Sequence, residues 1–143
     1  MGAAYRLKTD EEEVLGVNRA FFQALESLDV EQMEAVWWHE DWVQILHPGW
    51  ELIVGWDEIR ESWVDIFRST VRMRVAISHP FVHVVGDAAW VSCRPEITYT
   101  SKEGFTTAAI DVLNIFVRRN GAWRIVHHHA ALVPAQPVSE VVQ

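Results

Sequence analysis

The sequence predicts an α+β domain in which N-terminal helices pack on a strongly curved antiparallel sheet. Three observations carry this. Apolar residues recur at helical spacing behind capping signals as far as about residue 69; from Val71 the pattern changes to β-branched and aromatic residues; and turn pairs cut that second half into hairpins. The expected order is helix, helix, short strand, helix and four long strands.

Thr9-Asp10-Glu11-Glu12 has the Ser/Thr-x-x-Glu form of a capping box, and Val14, Val17, Phe21, Leu25 and Leu28 follow as one apolar stripe. Asp29-Val30-Glu31-Gln32 opens a second, shorter helix with Met33, Val36 and Trp37 on its buried side, ending near His39 to Asp41. Trp42 to Leu46 reads as a short strand stopped by His47-Pro48-Gly49. After Gly55, Asp57 and Glu58 favour the dipole of a third helix whose stripe is Ile59, Trp63, Ile66 and Phe67. Gly86-Asp87, Lys102-Glu103-Gly104 and Asn120-Gly121 then divide strands expected at 71–85, 88–101, 105–119 and 122–133. Residues 1–143 read as a single domain with its core at about 10–133 and a tail at 134–143.

With 12 Lys+Arg against 20 Asp+Glu the chain carries a formal charge of −8. Neither nucleic acid nor an anionic membrane is expected as a partner, because both require a basic surface. No apolar run is long enough to span a bilayer and no secretory leader is evident, so a cytoplasmic location is expected. The single Cys93 rules out an intramolecular disulfide. Eight Trp are a high number, and most belong to core and interface. Ile110 to Val117 is apolar on both strand faces, so a second cover is needed beyond the helices, and a second copy of the chain in a homodimer supplies it most simply. Leu113, Ile115, Val117 and Val126 are the expected contact residues.

Two stretches point to a family. His47-Pro48-Gly49 with Gly55-Trp56-Asp57-Glu58-Ile59-Arg60 resembles the P-x-G…G-x-x-x-I stretch of SnoaL-like proteins, and the run from Arg118-Arg119-Asn120-Gly121 through His127-His128-His129 resembles their ending. With the element order, the likeness is to the cone-shaped nuclear transport factor 2-like (NTF2-like) superfamily, over roughly residues 10–133. That superfamily includes ketosteroid isomerase, scytalone dehydratase, SnoaL-type cyclases and a kinase association domain, so the resemblance implies a cone and a pocket more than any one chemistry.

If Asn120-Gly121 is a two-residue turn, counting outward places Phe116 opposite Ile125, Asn114 opposite His127 and Val112 opposite His129. The resemblance assigns this face to the inside of the cone, and a slip of one residue would exchange every role. It also implies that His47, before Pro48, stands where ketosteroid isomerase has its catalytic aspartate. Phe21 and Asn114 fall near the isomerase's oxyanion-hole positions, and Trp63 near a tyrosine-bearing one. Phe21 cannot donate a hydrogen bond, so half of that hole is absent. The acid that SnoaL-type cyclases carry near the end of the last strand is absent too.

The expected site therefore has His47 as a base and Asn114, His127 and His129 orienting or polarising an oxygen, with Phe21, Trp63, Val112, Phe116 and Ile125 lining the space for a small apolar ligand. Each has a structural alternative: His47 satisfying the turn beside Pro48, Asn114 satisfying His127, and both imidazoles simply hydrogen-bonded inside the cone. His127-x-His129 with His47 also has the form of a metal-ligand set, but no carboxylate faces it, and neither a metal nor a cofactor is expected. The implied function is an acid–base isomerase, dehydratase or cyclase acting on a small apolar carbonyl or polyketide-like substrate. The alternative is a non-catalytic ligand-binding or assembly module.

Overall fold

A computed structural model describes residues 7–134; the expected tail lies outside the described residues beyond Pro134. The first helix, α1, spans Asp10–Ser27, and its capping box forms: the Thr9 hydroxyl accepts from Glu12 N at 3.1 Å while Thr9 N donates to Glu12 Oε1 at 3.3 Å. Val14, Phe21 and Leu25 of the expected stripe are buried. The second helix, α2 (Val30–Ala35), is capped by Asp29, whose Oδ1 accepts from Glu31 N at 2.9 Å. It stops before the expected end because the backbone beyond it pairs elsewhere: Ile125 N donates to Val36 O and Trp38 N to Ile125 O, at 2.8 and 3.0 Å. The third helix, α3 (Trp56–Ser69), buries Ile59, Trp63 and Phe67 as its spacing requires.

The strands are β1 (Gln44–Leu46), β2 (Ile53–Val54), β3 (Arg72–Ala76), β4 (Phe81–Val85), β5 (Ala88–Cys93), β6 (Glu96–Ser101), β7 (Gly104–Arg119) and β8 (Ala122–Leu132). They form an eight-stranded sheet in the order β2-β1-β8-β7-β5-β4, with β6 also on β7 and β3 on β6. All three predicted hairpins are present, pairing Val85 with Ala88, Ser101 with Gly104 and Arg119 with Ala122. Two of the four expected strands are each broken into two. Pro80 and Pro95 sit at the breaks, and a residue without an N–H cannot continue a ladder; His79, at φ 53°, turns the chain at the first of them. The 16-residue β7 runs unbroken past both halves and gives the sheet its bend.

Two further features depart from the sequence expectation. β2 exists as a two-residue partner of β1, too short to carry a periodicity. β1 lies parallel to β8, pairing Ile45 with His128, so the sheet is antiparallel everywhere except at this seam. α1 and α3 cover the inner face, where Phe21, Trp37, Ile45, Ile59, Val91, Phe116 and Ile125 form the core. Burying each of these side chains contributes about 2 kcal/mol. No described helix is long and apolar enough to cross a membrane.

Candidate functional site

The register of the last hairpin decides which residues reach the inner face. Arg119 pairs with Ala122 and Phe116 with Ile125, as the two-residue turn requires. The next pair is Ile115 with His127, so Val126 is one extra residue on β8, a β-bulge. From there the parity reverses, and Asn114 faces His128 and Leu113 faces His129. The predicted placement of His127 and His129 inside the cone is therefore wrong. His128 is the inner imidazole, 4% exposed, while His127 is half-buried and His129 exposed on the outer face. The His47–His127–His129 ligand set is split between two faces of the sheet and does not assemble.

His47 reaches the inside through β1. Ile45 pairs with His128 and is fully buried, and His47, two residues on, keeps the same face and is 3% exposed. Its ring lies 6.4 Å from that of His128. Asn114, 0% exposed, is inside as predicted, with Val112 and Phe116 beside it on β7 and Ile125 on β8. Phe21 from α1 lies 4.8 Å from the His128 ring and 5.8 Å from that of Trp63. Trp63 in turn lies 4.7 Å from His47, edge to face.

Hydrogen bonds fix the state of each imidazole. Ser62 Oγ donates its one proton to Ile59 O at 2.6 Å, so at 2.9 Å from His47 Nε2 it accepts. His47 thus carries its proton on Nε2 and presents a lone pair on Nδ1. Asn114 Nδ2 donates to Asn18 Oδ1 at 2.9 Å, which turns its Oδ1 toward His128 Nδ1 at 2.7 Å. His128 therefore holds its proton on Nδ1 and presents a lone pair on Nε2. Two neutral rings, each hydrogen-bonded through one nitrogen and, among the described residues, without a partner at the other, stand with ring centres 6.4 Å apart. Beside them, the Trp63 indole N–H is buried without an acceptor, a state it shares with Trp37 and Trp123 among the described residues.

Burial keeps both rings neutral. Desolvation pushes the His47 pKa down to about 4. His128 lies well below the ordinary histidine value, through burial first and then through the neighbouring His47, His127 and His129. His127 is lowered by burial and by His129.

Sequence reading missed Asn18, Ser62 and His128. Asn18 was legible, standing four residues after Val14 and three before Phe21 in the α1 stripe, 2% exposed. Ser62 had a weaker signal, one helical turn beyond Ile59 on α3. His128 had none, since a bulge leaves no mark on an alternating pattern.

The sequence model of the SnoaL-like domain family matches residues 14–136. The F-box protein SKIP8 of Arabidopsis thaliana is 26% identical over 120 residues, 84% of this chain and 49% of that protein. The chain thus spans about half the length of this curated relative. A solved structure from Streptomyces avermitilis, described as a candidate dehydratase of the NTF2-like family, is 28% identical with a TM-score of 0.82, covering 88% of this chain and 97% of that one. A ketosteroid isomerase-like protein from Erwinia carotovora atroseptica shares the fold at 22% identity and a TM-score of 0.76, over 90% of this chain and 100% of that one.

Proposed function

The chain belongs to the SnoaL-like domain family, and from that premise we propose that it binds a small, mostly apolar carbonyl compound inside the cone and moves a proton on it. The observation that carries this is the pair of anchored, neutral imidazoles, His47 open at Nδ1 and His128 open at Nε2, with ring centres 6.4 Å apart. Nδ1 of His47 takes the proton. It is unprotonated throughout the neutral range, because its pKa lies at about 4. That value also makes it a weak base, so positioning has to supply most of the acceleration. The orphan N–H of Trp63 is a donor suited to the substrate oxygen as charge develops there. Phe21, Val112, Phe116 and Ile125 form the apolar surround.

Among the described residues, every proton-bearing group at this site is a neutral hydroxyl, amide, indole or imidazole, and no carboxylic acid takes part. Dehydration and cyclisation need an acid to protonate a departing or forming hydroxyl. Isomerisation needs only one group that removes a proton and returns it, so the geometry favours isomerisation. The test is exchange of α-protons into deuterated water, followed by NMR, for a panel of small cyclic ketones and enones. Wild type should exchange at least one of them above buffer, and His47→Ala should slow that by about 10²- to 10⁴-fold. No exchange above buffer, or unchanged exchange in the variant, refutes the reading.

The non-catalytic alternative has one observation in its favour, the outer sheet face. Phe81, Val85 and Trp90 are 65%, 56% and 37% exposed there, beside an open groove of about 670 Å³ reached by Leu113 and His129. We propose that a second copy covers this face. Dimerisation is compatible with either function, and it is the whole role if the interior proves inert.

A further inference from the structure

Three ring neighbours surround His47, and they differ in one respect. Trp63 and His128 are 3% and 4% exposed, whereas Trp50 is 44% exposed, with its ring centre 4.8 Å from the imidazole at an interplanar angle of 61°. Of these neighbours, only Trp50 both packs on His47 and reaches solvent. It is presented by the turn His47-Pro48-Gly49-Trp50, closed by Trp50 N donating to His47 O at 3.0 Å. Proline at the second position and Gly49 at φ 82° at the third give this the form of a type II turn. Among the described residues the Trp50 side chain makes no hydrogen bond, and its one ring contact is the edge-to-face packing on His47. The rest of the turn is loosely held too: a Cβ on Gly49 would meet nothing within 4 Å, and Leu52 is 51% exposed.

We propose that Trp50 is the gate of the site and the wall against which the ligand lies: its indole swings off His47 to admit a ligand to Nδ1, and its flat face then packs on that ligand. This rests on the proton-transfer site described above. It adds a selectivity, since a planar unsaturated carbonyl compound fits between an indole face and an imidazole edge better than a branched one of equal volume.

Gating can be read without a substrate. Diethylpyrocarbonate transfers an ethoxyformyl group only to an unprotonated imidazole nitrogen, and His47 stays unprotonated above about pH 5. The rate at each histidine is followed by peptide mass spectrometry, with exposed His79 as the internal reference. In wild type His47 should react far more slowly than His79. Trp50→Ala should speed its labelling about tenfold, because no indole then shields the imidazole from the reagent, with His79 unchanged. Trp50→Phe keeps a ring over the site and should stay near wild type. Should Trp50→Ala lose its far-UV circular dichroism, Trp50→Leu is read in the same way.

Labelling of wild-type His47 as fast as His79, or equal rates in wild type and the Ala or Leu variant, overturns the gate. Faster labelling in the variant without α-proton exchange by wild type leaves the gate standing and removes the catalytic reading. Exchange with unaltered labelling does the reverse.

Discussion

Two neutral imidazoles inside the cone make the fold sensitive to acid, and the sign follows from the direction of their shifts. Each is harder to protonate folded than unfolded. Below the unfolded value of 6.5 the unfolded chain takes up protons that the folded chain refuses, so stability is complete above that pH and is lost as pH falls toward the folded value. For His47, between 6.5 and about 4, the loss accumulates at 1.36 kcal/mol per unit and reaches about 2 kcal/mol by pH 5. His128 adds to it in the same direction. The measurement is urea unfolding at pH 8 and pH 5 for wild type and for His47→Gln, whose amide can still donate to Ser62 but does not titrate. Wild type should lose about 2 kcal/mol more than the variant over this interval, while the carboxylates of both chains contribute alike. Parallel pH dependences would mean that His47 is hydrated in solution, and would refute both the burial argument and the neutral base derived from it.

Asn114→Ala removes the shared partner of Asn18 and His128 at once, and should cost about 2–5 kcal/mol in chemical denaturation by orphaning two buried polar groups. On the outer face, light scattering at micromolar concentration should give wild type twice the chain mass of 16.5 kDa. Trp90→Glu, set beside Ile115 and His83, should give a single-chain mass with an unchanged far-UV spectrum. A soluble wild-type monomer would refute the covered face.

Much of the fold was legible because its signals are local. Thr9 and Asp29 are caps whose chemistry acts within three residues, and both form as read. Asn120-Gly121 takes φ 50° and φ 78°, the two positive angles that a two-residue hairpin turn demands and this residue pair tolerates. The departures have longer-range causes. Where α2 ends is set by a pairing with Ile125, nearly ninety positions away in the chain, and no helix signal encodes that. Pro80 and Pro95 were visible, but only the bent sheet makes them strand ends instead of edge residues.

The site was half legible, and the other half turns on one bulged residue. His47, Phe21, Trp63 and Asn114 come together as expected because each follows its own element's periodicity. His127 and His129 do not, although the counting that placed them inside is sound as far as Ile125. Without a bulge, two imidazoles would be desolvated on the inner face, while Val126 would stand outside. In the structure Asn114 Oδ1 serves one imidazole while its amide donates to Asn18. A second imidazole buried there without a partner of its own would cost about 1–3 kcal/mol for each unsatisfied polar group. Admitting Val126 as an extra residue buries its side chain to 8% exposure, brings the small Ala130 inward, and leaves a single imidazole for the single oxygen. His128 is the imidazole the bulge brings to that oxygen, and because its Nδ1 donates there, the lone pair left to the site is at Nε2.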